Sequence, residues 1–326
     1  MVQLSVLDLA YIGEGFAPAD ALANALDLAQ NVEAAGFSRF WLAEHHNLAG
    51  IASAATAVCI CHVASGTKTI RVGAGGVMLP NHSPMVIAEQ FGTLATLFPN
   101  RIDLGLGRAP GTDQRTLQAL RRSPDASENF PQDVIELQAL LGPPQENQVI
   151  HAIPGEDTNV PLWILGSSLF GAQLAAMLGL PYAFASHFAP QVLIQAVSIY
   201  RERFEPSAQL AEPYVMVGCN AIVAYTEDEA KRLFTTPQQQ STRMVRGARG
   251  QLPPPIDDIE TFWSPMEKAQ VSSMQACSFY GSPTTIKDKL APLIEATNAD
   301  ELMVAAAIYD HSARVRSFDL LAQAMG

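Results

Sequence analysis

The side chains best suited to proton transfer are concentrated at a few points of this sequence. Glu44-His45-His46 is one such point, and His82 and His187 mark two others, so these segments hold four of the seven histidines. A neutral imidazole accepts a proton near pH 7, and a histidine that faces a pocket is a natural general acid or base. We therefore take Glu44, His46, His82 and His187, together with His45, as candidate pocket residues.

A second group of residues is suited to binding an anion. Gly166-Ser167-Ser168 precedes a predicted helix at 169–179, within a stretch from 158 to 200 that contains no Asp, Glu, Lys or Arg. Backbone N–H groups at a helix N-terminus bind anions, and serine hydroxyls add donors. Ordinary helix capping would also explain the serines. Arg108, at the end of the adjacent predicted strand, favours a phosphate clamp.

The same spacing argues against a metal site. Neighbouring residues on an extended strand end point in opposite directions, so His45 and His46 could not easily share one ion. The alternating His-x-His pair of metal-binding barrel hydrolases is absent, and the four cysteines offer no pairing that completes a zinc site. The sequence predicts no metal and no disulfide framework.

Eight predicted strands alternate with helices and place these residues at one end of a barrel. Strand–helix units of about 30 residues argue for parallel strands with right-handed crossovers. The active site of a (β/α)8, or TIM, barrel lies at the C-terminal strand ends. A doubly wound dinucleotide-binding sheet is the alternative, but the turn at 9–13 lacks the Gly-x-Gly-x-x-Gly pattern. The strands are expected at 2–7, 40–42, 69–75, 101–106, 161–165, 182–185, 214–224 and 301–306.

Length, composition and charge fit one α/β barrel domain over residues 1–326. The chain is longer than the ~250 residues typical of the fold, and we interpret the Gly- and Pro-rich segment at about 241–275 as an insertion or lid. The net charge of −12 argues against nucleic-acid and membrane-surface binding. Because the N-terminus lacks a signal peptide and the charge-free stretch is interrupted by Pro and Gly, we expect a soluble cytoplasmic protein.

Several long motifs, in order along the chain, resemble the bacterial luciferase-like, flavin-dependent monooxygenases, most closely their single-chain bacterial subgroup. The match extends over nearly the whole length, which makes it far more specific than any single motif. The segments that carry it are Trp41–His46, Gly75–Pro80, Asn100–Arg108, Pro161–Ser168, Gly179–Phe188, Gln251–Ile256 and Phe262–Pro265.

The resemblance implies an FMN-dependent enzyme with a TIM-barrel fold. Reduced FMN would come from a separate flavin reductase, and oxygen would add to it as a C4a-(hydro)peroxide that oxidises a small organic substrate. Some branches of the family use the deazaflavin F420 instead, and homodimers are common. His45 matches the catalytic histidine. Gly75 and Gly76 match a pair often joined by a non-proline cis peptide beneath the isoalloxazine.

The resemblance also implies which residues bind the phosphate of the flavin. Arg108 matches the arginine at the flavin phosphate, and Gly166, Ser167 and Ser168 match the phosphate-binding turn. Gly107 is a departure, because true luciferases have a reactive cysteine there, and its loss argues against aldehyde-dependent light emission. The substrate is not determined by the match. An F420- or flavin-dependent dehydrogenase and a non-catalytic flavin-binding protein are the alternatives.

Overall fold

A closed barrel of parallel strands forms the framework of the computed structural model, which describes residues 2–109 and 113–326. Eight strands close the barrel in the order β6-β5-β4-β3-β2-β1-β9-β7, and β7 pairs with β6 to complete it. The predicted (β/α)8 barrel is therefore confirmed. The strands of the described residues are β1 (Gln3–Asp8), β2 (Arg39–Leu42), β3 (Arg71–Met78), β4 (Ile102–Gly107), β5 (Leu162–Gly166), β6 (Tyr182–Phe184), β7 (Val215–Val223), β8 (Ser278–Gly281) and β9 (Glu301–Ala305).

Helices return the chain between strands and cover the outside of the barrel. Their apolar faces pack on the outward side of the strands in one large core that includes Leu28, Phe40, Phe91 and Leu104. In the described part of the chain they are α1 (Pro18–Ala34), α2 (Thr56–Gly66), α3 (Pro84–Leu97), α4 (Gln114–Ala119), α5 (Phe130–Leu141), α6 (Leu169–Leu178), α7 (Leu193–Glu202), α8 (Glu227–Val245), α9 (Pro265–Met274), α10 (Ile286–Thr297) and α11 (His311–Met325). None of them combines the length and the apolar character needed to cross a bilayer.

The start of α8 is fixed by the side chain of Thr226, as the spacing Thr226 to Glu229 predicts. Thr226 Oγ1 accepts the backbone N–H of Glu229 at 3.1 Å. We expect Thr226→Ala to lower the free energy of unfolding by ~1 kcal/mol, because it leaves that N–H without its cap. Urea denaturation measures the change. Thr226→Ser keeps the hydroxyl and should retain most of the stability; equal losses in both variants would contradict a capping role.

The N-terminal half of the barrel interior is filled, so it leaves no room for a ligand. At the bottom, Arg39 donates to Asp103 at 2.8 Å and to Glu301 at 3.1 Å, and both carboxylates are fully buried. Above this layer lie the large inward side chains of Leu7, Trp41, Trp163, Met216 and Met303. Any cavity for chemistry must therefore lie at the C-terminal strand ends.

Strand β3 is longer than predicted. The sequence places its end at Gly75, but the strand continues to Met78. The Gly75–Gly76 peptide bond is cis, as the resemblance implies. The pairing register with β4 shifts between Ala74 and Val77 and then resumes, with Val77 opposite Leu106 and Met78 opposite Gly107. Pairing with β4 therefore continues beyond the glycine pair.

Two segments differ from their predicted secondary structure. Strand β8 was not predicted. Its four residues, Ser278–Gly281, lack the apolar run of a barrel strand, and among the described residues they pair with the second half of β7 alone. The region 108–131 was expected to be a long loop before a helix. Its described part contains the short helix α4, which Asp113 caps by accepting the Thr116 N–H at 2.9 Å. Residues 110–112 lie outside the described residues.

The segment predicted as a lid packs beside the loops that follow β1 and β2. Helix α8 extends to Val245, so the insertion starts later than the predicted residue 241. Leu252 forms a parallel bridge with Gly13, and its N–H donates to the Ile12 carbonyl at 2.9 Å. Ile259, Trp263 and Val271 form a small separate core within the segment. This packing holds the segment against the C-terminal end of the barrel.

Candidate active site

The inner wall of the barrel is lined by very small residues near the C-terminal strand ends. Residues alternate in and out along a strand, so the inward positions above Trp41 and Met216 are Ala43 and Gly218. A Cβ on Gly107 would meet no atom nearer than the Val77 carbonyl oxygen at 3.7 Å, which leaves open space above β4. The inward residues that share this small size are Ala43, Gly75, Gly107, Ala185, Gly218 and Ala305. Such a wall can accommodate a flat ring system.

His45 and His187 lie on this inner face with buried, unpaired ring nitrogens. Within the described residues, Nδ1 of each histidine has no hydrogen-bond partner. Burial, with a smaller contribution from the nearby His45, lowers the pKa of His187 to about 4. Burial also lowers the pKa of His45; the Glu44 charge opposes this shift, whereas His46 and Arg249 add to it. Both imidazoles are neutral near pH 7, and each unpaired Nδ1 can form a hydrogen bond with a ligand or accept a proton.

The position of His187 depends on neighbours that the sequence analysis did not single out. Gly218 gives it room, because a Cβ there would lie 2.5 Å from Nδ1 of His187. Asn220 on β7 donates to the His187 carbonyl at 2.7 Å, and the ring of Phe188 meets the imidazole edge-on at 5.0 Å. A polar residue within the apolar strand β7 was the signal for Asn220. Local pattern could not identify it, because its role depends on the β6–β7 pairing that brings His187 beside it.

Glu44, His46 and His82 lie together on the outer side of β2 and do not face the inner wall. Glu44 Oε1 accepts from Nε2 of His46 at 2.7 Å and from Nε2 of His82 at 2.8 Å, and Oε2 accepts the Met78 N–H at 3.1 Å. Burial alone would raise the pKa of Glu44, but these hydrogen bonds bring it below its usual value. The hydrogen bond between His46 and Glu44 raises the pKa of His46.

Arg108 lies beside the start of helix α6, as the sequence predicts. Its guanidinium carbon is 4.2 Å from the centre of the Phe170 ring, in the first turn of α6. Gly107 pairs with Leu165 in the adjacent strand, which brings Arg108 next to Gly166-Ser167-Ser168. Ser168 is the N-cap residue, yet its hydroxyl makes no capping hydrogen bond, and the first turn has no acidic residue. The capping explanation for this serine is therefore wrong, and donors remain free for an anion.

The structure divides the predicted residues into three places. His45 and His187 share the inner wall with Gly75 and Gly107. Arg108 and the turn 166–168 form an adjacent cationic corner. The outer cluster of Glu44, His46 and His82 lies behind β2. Arg249 in the insertion helps to lower the pKa of His45 through its positive charge. It was not among the predicted site residues.

Comparisons with known proteins place the chain in a family. The family model described as luciferase-like monooxygenase matches residues 2–300. The chain belongs to this family. It is therefore an enzyme, a flavin-dependent oxidoreductase of the luciferase-like monooxygenase type. A "Luciferase-like monooxygenase" of Escherichia coli (strain K12) is 52% identical over 320 residues, which cover 98% of this chain and 96% of that protein.

Two further proteins are similar to this luciferase-like monooxygenase over most of its length. The solved structure of apo-MsnO8 superposes with a TM-score of 0.92 at 35% identity and covers 100% of this chain and 98% of that one. An N-acetyl-S-alkylcysteine monooxygenase of Bacillus subtilis (strain 168) is 36% identical over 239 residues, which cover 71% of each chain.

Proposed function

We propose that this protein uses reduced FMN and O2 to oxygenate a small organic substrate. The observation that carries the proposal is the pair of unpaired, buried imidazole nitrogens of His45 and His187 above a wall of glycine and alanine. A site of this kind provides space for a flat ring and two neutral groups for proton transfer beside it. When bound, reduced FMN would supply the two electrons that activate O2.

The residues present fit FMN. Gly107 leaves space where a side chain would intrude, and Gly75 places backbone in the same wall. Arg108, with the backbone N–H groups and hydroxyls of Ser167 and Ser168, would hold the phosphate. Arg108 and Ser168 are exposed, and the Ser168 hydroxyl makes no capping hydrogen bond, so they suit a dianionic group better than a neutral ribityl terminus.

His45 would move the proton during oxygenation. Its imidazole is neutral near pH 7, and Nδ1 can carry or accept the proton at the inner wall. The segment 246–277 would limit water, since backbone hydrogen bonds join Leu252 to Ile12 and Glu14 in the loop after β1. Exclusion of water matters because reduced-flavin oxygen chemistry otherwise releases hydrogen peroxide.

The remaining parts of the proposal concern partners. We propose that a separate flavin reductase supplies the reduced FMN, as the family resemblance implies. We also propose a cytoplasmic homodimer. Free cysteines at all four positions suit a reducing compartment, and α2 and α3 expose Val58, Val86 and Leu97. Light scattering after size exclusion would measure the dimer, and a monomer mass would contradict it.

Rapid mixing tests the function. We expect reduced FMN with this protein and O2 to pass through a spectral transient distinct from both reduced and oxidised flavin, and longer-lived than without protein. Direct return to oxidised FMN at every pH would favour a dehydrogenase. Parallel titration with F420 and FMN distinguishes the cofactors, and stronger binding of F420 would overturn the proposal that FMN is the cofactor.

An N-acetyl-S-alkylcysteine is a first substrate to assay, since a relative is named for that activity.

A further inference from the structure

The outer cluster of Glu44, His46 and His82 has the composition of a metal site. One carboxylate oxygen and two imidazole nitrogens converge from two loops, and the three ligand atoms lie within 4.8 Å of one another. We propose that these residues bind one divalent transition-metal ion, for which zinc is the representative ion. Two histidines and one carboxylate with open positions are a common donor set for such ions.

Strand alternation, which separates His45 from His46, is what brings the donors together. Neighbouring residues diverge, but residues two apart share a face. Glu44 and His46 therefore point to the same outer side, and the turn after β3 adds His82. Adjacent residues and the absence of a His-x-His pair predict no metal site. A Glu-x-His pair completed by a histidine 36 positions later is not visible as a local pattern.

The geometry needs only a small adjustment to accept an ion. Both imidazole Nε2 atoms now meet the same carboxylate oxygen, at 2.7 and 2.8 Å. Metal–ligand bonds of ~2.0–2.2 Å in tetrahedral geometry require ligand atoms roughly 3.3–3.5 Å apart. Moving each Nε2 about half an ångström away from the carboxylate oxygen gives this spacing for the two nitrogen–oxygen pairs. The two nitrogens, which lie within 4.8 Å of each other, must reach the same separation. The bond from the Met78 N–H to Glu44 Oε2 orients the carboxylate as an outer partner would.

Access and space for completing the coordination are also present. A cavity of about 100 Å³ adjoins Glu44 and His82, between α2 and α3. His46 and His82 are 17% and 28% exposed, whereas Glu44 is almost fully buried. The partly exposed histidines leave one side of the site open, so waters can occupy the remaining positions of the ion. The ion would join the end of β2, which carries His45, to the turn after β3.

Cobalt titration of the flavin-free, chelator-treated chain tests the site. We expect one equivalent of Co²⁺ to give visible d–d absorption bands that Zn²⁺ abolishes. His46→Gln and His82→Gln, each checked for folding by circular dichroism, should weaken Co²⁺ binding by at least ~10-fold. His62→Gln on the exposed face of α2 is the matched control and should bind Co²⁺ like the parent.

Two outcomes would overturn the metal site. One is an unchanged Co²⁺ titration in both folded histidine variants. The other is X-ray absorption of the zinc-loaded parent that shows no imidazole ligands or more than two. The absorption measurement needs no variant, so it decides the question even if a substitution prevents folding. Since no flavin is present in either experiment, the result is independent of the proposed oxygenation.

Discussion

His45→Ala is expected to bind reduced FMN within a few-fold of the parent, while the spectral transient formed with O2 becomes at least ~100-fold shorter-lived. The reason is positional. His45 lies on the inner wall with a buried and unpaired Nδ1, and no described side chain shares that nitrogen. Loss of a general acid or base typically costs 10²–10⁴-fold in rate. Stopped-flow absorbance measures the lifetime, and equilibrium titration measures the binding.

A comparison variant separates chemistry from stability. His62→Ala removes an exposed imidazole from α2 and should leave both the lifetime and the flavin affinity unchanged. Thermal melts of both variants accompany the kinetics. A His45→Ala protein that is less stable but retains the parental lifetime would end the proton-transfer proposal. A protein that loses flavin binding instead would show that His45 mainly holds the ring.

Arg108→Ala is expected to weaken FMN binding by ~1.5–3 kcal/mol, the range for hydrogen bonds to charged groups. This corresponds to about a 10- to 150-fold higher Kd. Riboflavin lacks the phosphate and should bind the variant nearly as well as the parent. The guanidinium lies 4.2 Å over Phe170 at the uncapped start of α6, where the phosphate would meet it. Fluorescence titration with both ligands measures the two affinities.

The matched control for Arg108 lies at the opposite end of the barrel. Arg203 is an exposed arginine that follows α7, and a helix that returns from β6 ends near the N-terminal strand ends. Arg203→Ala therefore changes the net charge equally but should leave FMN affinity unchanged. Equal losses for FMN and riboflavin in Arg108→Ala would place the arginine away from the phosphate. Equal losses of FMN affinity in both arginine variants would show that the effect comes from the change in overall charge.

Local pattern was sufficient to predict the barrel and the residues at its active end. The apolar runs at 2–7 and 161–165, for example, match β1 and β5 within a residue or two. Each such run must be buried on both faces, so its position is encoded in adjacent residues. The same logic placed His45, Arg108 and the turn at 166–168 after strands, where a parallel barrel gathers its functional groups.

Contacts between distant segments decided the rest. Strand β8 exists only because Asn220–Val223 offers it a partner, and its own four residues carry no strong pattern. Gly218 and Asn220 matter only because His187 approaches β7 from the neighbouring strand. His82 joins Glu44 across 38 positions of sequence. Alternation along a strand is a local property, but which side chains meet across strands depends on register and closure, and these are set by the packing of the whole chain.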